Sequence, residues 1–130
     1  MRKHLAIFKG DLAEKILSGE KTIESRFSLA KIAPFGVIGA GDLVYIKPTG
    51  KDIIGQFRVK KVYFFDGLET GDIKWIKEAF GEGIAADEEF WRVHKGAKYG
   101  SIIFIGPTTR FMTSPVKFEK RDLRGWVVID

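Results

Sequence analysis

The close spacing of the strand-like segments constrains the fold of this chain most strongly. Six segments show the apolar runs or the alternation of strands, and a seventh, at 110–118, is a further candidate. The six lie at residues 5–8, 21–27, 42–48, 53–65, 101–106 and 124–130. They follow one another too closely for regular βαβ crossovers, which favours antiparallel pairing. The sequence therefore predicts an α+β fold, a small and mostly antiparallel β-barrel with about three short helices.

Three helices are predicted from their periodicity and their end signals. GDLAEKILSG has apolar residues at helical spacing, with Asp11 and Glu14 in a capping-box pattern and Gly19 as the left-handed C-cap. A second helix is predicted from about Asp72 to a stop at Gly81. A third follows in ADEEFWRVHKG, with Asp87 as its N-cap.

The long strand segment IIGQFRVKKVYFF changes its pattern near its middle. Its first half alternates, whereas four consecutive apolar residues follow Lys61. Two explanations are open at this point. Either the strand becomes buried on both faces, or a β-bulge resets which side chains share a face.

Length and composition indicate one domain covering residues 1–130 and exclude several kinds of site. The chain has no cysteine, which excludes disulfides, thiolate zinc sites and cysteine nucleophiles. It has only two histidines, and we expect neither a metal ion nor a cofactor. No apolar run approaches the ~20 residues of a membrane span, and the apolar run near the N-terminus is too short for a signal peptide. We therefore expect a cytoplasmic protein without a membrane partner.

The charge balance allows an anionic partner. The formal net charge is +5 and the pI is about 9.5, as in many proteins that bind RNA or DNA, although many basic proteins bind neither. The chain also has no asparagine, one glutamine and many charged residues, which resembles the composition of proteins from hyperthermophiles.

The segment SGEKTIESRF, residues 18–27, is unusually polar for a strand. Its period of two places Ile23 and Phe27 on one face and Thr22, Glu24 and Arg26 on the other. Side chains two positions apart on a strand can pair or converge on one ligand. The alternative is an ordinary solvated strand face with an exposed Glu–Arg pair. Lys21, at the junction of helix and strand, can reach either face.

This segment resembles the signature of ASCH domains, the activating signal co-integrator homology domains. Gly19, Lys21, Glu24 and Arg26 reproduce the pattern G-x-K-x-x-E-x-R, directly after a short helix that ends in glycine. The resemblance implies a PUA-like fold, a β-barrel related to RNA-binding domains. It also implies that the signature residues line a cleft for RNA or a nucleotide. Since Thr22 shares their strand face, we expect Gly19, Lys21, Thr22, Glu24 and Arg26 to bind RNA or a modified nucleotide.

The resemblance leaves an enzymatic alternative open. Some small ASCH proteins are amidohydrolases that deacetylate acetylcytidine, with a lysine that matches Lys21 and a threonine nucleophile at the position of Glu24. This chain lacks that threonine. Thr22 cannot be assumed to replace it, whereas Glu24 could act as a general base and Glu78 is a second carboxylate by rough position only. Other members are ribonucleases, in which Lys21, Glu24 and Arg26 would serve as phosphate clamp and base.

Two further segments have candidate roles. WRVHKGAKYG mixes aromatic and basic residues as single-stranded nucleic-acid sites do. The candidate secondary contacts are Trp91, Arg92, Lys95, Lys98 and Tyr99; the alternative is that Trp91 is a core residue and the lysines are solvated. The apolar, glycine-rich loop at 35–41 is a candidate flap over the cleft. An exposed patch around Phe35, Val37 and Ile38 would instead indicate a protein-interaction module.

Overall fold

Six strands and three helices make up the part of the chain that the computed structural model describes, residues 1–113 and 124–129. The strands are β1 (Lys3–Phe8), β2 (Ile23–Ser28), β3 (Leu43–Pro48), β4 (Gly55–Asp66), β5 (Tyr99–Arg110) and β6 (Trp126–Val128). The helices are α1 (Leu12–Ser18), α2 (Asp72–Ile84) and α3 (Glu88–Val93).

The strands form one sheet in the order β2-β5-β4-β3-β1-β6. Every pairing is antiparallel except that of β1 with β3, which is parallel. The sheet curves into a half-barrel, and the predicted class, a small and mostly antiparallel α+β barrel with three helices, is confirmed. β2 and β6 are the two ends of this order, so the contacts between them matter for closing the curve.

The long pairing of β4 with β5 contains the irregularity that the sequence pattern suggested. The register shifts between Phe57 and Val59 and again between Val59 and Lys61. The bulge explanation is therefore correct. The alternative explanation, that this part of β4 is buried on both faces, is wrong because Tyr63 and Phe64 remain 44% and 41% exposed. The candidate strand at 110–118 is not formed at residues 111–113, and its remainder lies outside the described residues.

The two faces of the sheet pack into two separate apolar clusters. One contains Phe8, Val44, Phe57 and Ile103, with α1 packed against it. The other gathers side chains of β2, β5, α2 and α3, among them Ile102. Adjacent residues of β5 thus enter opposite clusters, as strand alternation requires.

The helix ends follow the predicted signals in part. Gly19 is left-handed with φ 86°, and the Asp87 side chain accepts a hydrogen bond from the Phe90 N–H at 2.9 Å, both as predicted. The capping box of α1 is wrong, because the Asp11 side chain forms no cap bond and Glu14 pairs with Arg110 of β5 instead. The predicted stop of α2 at its first glycine is also wrong.

Helix α2 runs through Gly81 and ends at Ile84, and its C-cap Ala85 is left-handed with φ 55°. A glycine weakens a helix without breaking it, and here packing on β2 carries the helix one turn further. The backbone carbonyl of Gly83 accepts a hydrogen bond from the N–H of Thr22 at 2.9 Å. Within the described residues, no helix is long and apolar enough to cross a membrane.

Gly106 is expected to be essential for the irregular β4–β5 pairing. A Cβ at this position would lie 2.7 Å from the backbone oxygen of Arg58, which cannot rotate away. Gly106→Ala should lower the free energy of unfolding by about 1–3 kcal/mol, the usual cost of overpacking. Urea denaturation measures the change. Gly96→Ala is the matched control, since a Cβ there meets nothing within 4 Å. Equal stabilities of the two variants would contradict this account of the bulge.

Candidate functional site

Lys21 lies in the interior at the junction of α1 and β2. Its side chain is 2% exposed, and its ammonium group donates to the carbonyls of Ile23 at 2.9 Å and Ile84 at 2.6 Å. Its third partner is the Glu24 Oε1 atom at 3.2 Å. An ammonium group has three N–H bonds, so these partners saturate it. Lys21 therefore holds the end of α2 against β2.

Glu24 lies between two cations and is itself buried, at 4% exposed. Its Oε1 atom also accepts from the Ser25 N–H at 2.9 Å, and its Oε2 atom accepts from Nε of Arg26 at 3.0 Å and forms an ion pair with Nη2 of Arg26 at 2.9 Å. Burial by itself raises the pKa of Glu24, but the charges of Lys21 and Arg26 and their hydrogen bonds outweigh it. The pKa of this carboxyl therefore lies below its ordinary value.

Arg26 connects the two ends of the sheet. Its guanidinium donates to the carbonyls of Ile7 at 2.9 Å and Gly125 at 3.2 Å, and it lies 5.1 and 5.0 Å from the ring centroids of Phe8 and Trp126. These two bonds and the one from Nε to the carboxylate engage the Nε proton, one Nη2 proton and one Nη1 proton. Arg26 is 23% exposed in its side chain, more than the other two members of this ion network.

A cavity of about 140 Å³ lies beside Arg26, between β2, the loop at 32–35 and the segment 125–126. Its lining includes Arg26, Ser28, Phe35, Ser101, Gly125 and Trp126. Its size is close to that of cavities of roughly 150 Å³ that accept one benzene ring. The site is thus large enough for one six-membered ring.

Ser101 is a cavity residue that sequence reasoning missed. Its hydroxyl is buried and, within the described part of the chain, has no hydrogen-bond partner. Ser101 pairs directly with Arg26 across β2 and β5, so both side chains face the cavity. In the sequence it is a single serine at the start of an apolar strand, which gives no signal of a polar site.

A buried chain of hydrogen bonds fixes the Trp126 wall of the cavity. The indole Nε1–H donates to Nδ1 of His4 at 3.1 Å, and an indole nitrogen can only donate. The proton of His4 therefore resides on Nε2, which donates to Oδ2 of Asp42 at 2.9 Å. Burial by itself raises the pKa of Asp42, but the N–H groups of Arg2 and Gly39 and the bond from His4 together lower it.

The same carboxylate restrains the glycine-rich loop. Asp42 accepts from the N–H of Gly39 at 3.0 Å, and Ile38 is buried in the core. Part of this loop, the candidate flap, therefore packs down on the sheet. The patch expected around Phe35, Val37 and Ile38 is not an exposed apolar surface, because Ile38 is buried and the other two are half-buried.

The other sequence-derived candidates lie in different environments. Gly19 and Thr22 are exposed, and Gly19 serves as the left-handed end of α1. Trp91 is 7% exposed and belongs to the core, so its ring offers no free face for stacking. Arg92 is paired with a glutamate on its own helix.

Of the remaining secondary candidates, Lys95 and Lys98 are exposed, whereas the half-buried Tyr99 packs against Phe35 beside the cavity.

The ion network is poorly suited to proton transfer. Both oxygens of Glu24 are occupied by donors and its pKa is lowered, whereas a general base near neutral pH needs a raised one. Glu78 is exposed on α2, away from these contacts. Within residues 1–113 and 124–129, no three metal-ligating side chains form a group that could hold a metal ion.

In sequence, the chain matches no family model, and no curated protein is significantly similar to it. Its fold does match solved structures. The ASCH protein from Zymomonas mobilis is 16% identical, with a TM-score of 0.66 over 84% of this chain and 70% of that chain. A serine-to-alanine variant of that protein gives a TM-score of 0.76 at 14% identity, over 99% of this chain and 89% of the other. A protein described as hypothetical is 19% identical, with a TM-score of 0.56 over 82% of this chain and 99% of its own. The chain has the ASCH-domain fold, as its signature predicted.

Glu24→Gln is expected to destabilise the protein strongly at neutral pH. The change leaves the buried Lys21 and the partly buried Arg26 without their counter-charge, and breaking a buried ion pair typically costs about 3–5 kcal/mol of the free energy of unfolding. Since the folded-state pKa of Glu24 is lowered, the carboxylate stabilises the fold fully above the ordinary glutamate value of about 4.3. That stabilisation is lost as the pH falls further.

Urea denaturation of the wild type and the variant between pH 3 and pH 7 measures this difference. It should shrink below about pH 4.3. Glu14→Gln, which removes an exposed ion pair with Arg110, is the matched control and should change stability little. A difference for Glu24→Gln that stays constant with pH would show that the charge of the carboxylate is not what stabilises the fold.

Proposed function

We propose that this protein binds RNA or a modified nucleoside by holding one base in the cavity beside Arg26. The observation that carries the proposal is the combination of a ring-sized cavity, aromatic walls and a buried Ser101 hydroxyl that finds no partner among residues 1–113 and 124–129. Proteins that read RNA sequence take unstacked bases into such sites and bond to their edges. The net charge of +5 and the ASCH-domain fold support the same partner.

The cavity size favours a pyrimidine. A volume of about 140 Å³ suits one ring, and the two fused rings of a purine would need the walls to move. The Ser101 hydroxyl can both donate and accept, whereas Arg26 can only donate. Together they match the edge of a base that carries a carbonyl oxygen next to another polar group.

Within this proposal, Arg26 is the signature residue that contacts the ligand, and Lys21 and Glu24 position it. Arg26 is the most exposed of the three and the one that lines the cavity. Gly19 shapes the turn that leads into β2. The exposed Thr22 lies just before β2 and is not among the residues that line the cavity.

Binding is favoured over hydrolysis by the state of the ion network. An amidohydrolase or ribonuclease that used Lys21 and Glu24 would need one of them free to reach the reacting atoms. Both are saturated by internal contacts, and the lowered pKa of Glu24 makes it a weak base. We therefore propose recognition without turnover.

Ser101→Ala is the sharpest test of the cavity. The substitution removes a hydroxyl that the described residues leave unpaired, so the free energy of unfolding should not fall. If a ligand bonds to this hydroxyl, its affinity should drop roughly three- to tenfold, the worth of one hydrogen bond. Isothermal titration with cytidine, acetylcytidine, uridine and adenosine measures the affinities.

Ser25→Ala is the matched control. Its hydroxyl is also buried and has no partner in the described part of the chain, but it belongs to the opposite face of β2 and should not affect binding. Equal effects of the two substitutions, or tighter binding of adenosine than of the pyrimidines, would contradict the proposed site. Release of acetate from acetylcytidine during the titration would instead identify an enzyme.

A further inference from the structure

Phe64 is an exposed aromatic residue in direct continuity with the cavity. It pairs with Ser101 across β4 and β5, and Ser101 pairs with Arg26 across β5 and β2. Directly paired residues project from the same face of a sheet, so these three side chains form one row. Phe64 has the most exposed side chain of the three, at 41%.

Two neighbouring rings extend this surface. The Phe35 ring lies 5.3 Å from the Phe64 ring and 5.3 Å from the Tyr99 ring, measured between centroids. We refer to Phe35, Phe64 and Tyr99 as the aromatic platform. Phe35 also lines the cavity, so the platform begins at the cavity wall.

A basic group accompanies the platform. The Lys31 ammonium lies 5.7 Å from the centroid of the Tyr99 ring and 3.4 Å from the Asp66 carboxylate. Both members of this ion pair are more than half exposed, so the pair contributes little stability and a phosphate can replace the carboxylate. Rings with an exposed cation beside them are the features that bind single-stranded nucleic acid.

We infer that the aromatic platform holds the nucleotide next to the base in the cavity. The ligand of this site is therefore a single-stranded oligonucleotide and not a free nucleoside. This inference rests on the proposed function, because the platform has this role only if the cavity holds a base. The Phe64 ring would stack on the neighbouring base, and Lys31 would lie near the intervening phosphate.

Phe64→Leu tests the inference, with Tyr63→Leu as the matched control. Tyr63 is adjacent in sequence and similarly exposed at 44%, but it projects from the opposite face of β4. The probes are cytidine and a single-stranded RNA of four cytidines. Wild type should bind the RNA more tightly than cytidine. Phe64→Leu should weaken RNA binding about tenfold, since stacking contributes ~1–3 kcal/mol per base, and leave cytidine binding unchanged.

Tyr63→Leu should bind both probes as wild type does, and Phe64→Tyr should retain RNA binding because it keeps a stacking ring. Urea denaturation of each variant verifies that the fold is intact. If wild type binds cytidine and the RNA equally well, or if both leucine variants lose RNA affinity equally, the platform inference is overturned while the cavity proposal stands. If wild type binds neither these probes nor their uridine equivalents, the proposed function fails and the inference fails with it.

Discussion

The buried carboxylate of Glu24 between Lys21 and Arg26 is the interaction on which the rest of the site depends. Removing charged groups from water is costly unless each finds partners, and one carboxylate cannot compensate two cations. Further N–H groups of the two cations donate to backbone carbonyls from β2, from α2, from β1 and from the segment before β6. The charges are stable in the interior only when those elements are in place. The network therefore fixes how α2 packs on β2 and how the two ends of the sheet approach each other.

This arrangement explains both the success and the limit of reading the sequence. Alternation along SGEKTIESRF correctly placed Glu24 and Arg26 opposite Ile23, and local signals such as Gly19 and Asp87 correctly ended or began helices. Burial of the polar face was not predicted, because the carbonyls that satisfy it lie 19, 63 and 99 residues away in sequence. Periodicity shows which side chains share a face but not what covers that face.

Isolated polar residues within apolar strands are the second limit. His4 in KHLAIF and Ser101 in SIIFIG belong to no repeating pattern of polar residues, yet both are buried. His4 bonds to the Trp126 wall of the cavity, and Ser101 lines the cavity itself. Their roles depend on contacts with distant residues, 122 positions away for the bond between Trp126 and His4. The wrong predictions for the α1 capping box and for the end of α2 also result from contacts with distant residues. Glu14 pairs with Arg110 of β5, and packing extends α2 past Gly81.

The site contains two polar networks, the ion network around Glu24 and the hydrogen-bond chain from Trp126 through His4. They come together where the Arg26 guanidinium lies 5.0 Å from the centroid of the Trp126 ring. One system fixes the guanidinium through Glu24, and the other fixes the indole through His4. Within the described residues, the Ser101 hydroxyl is a buried side-chain group of the cavity lining that has no hydrogen-bond partner. A site with an unsatisfied polar group discriminates strongly, since a ligand without the matching group leaves it unpaired. Under the proposed function, the rigidity of the surrounding networks would favour selective recognition of a small planar group.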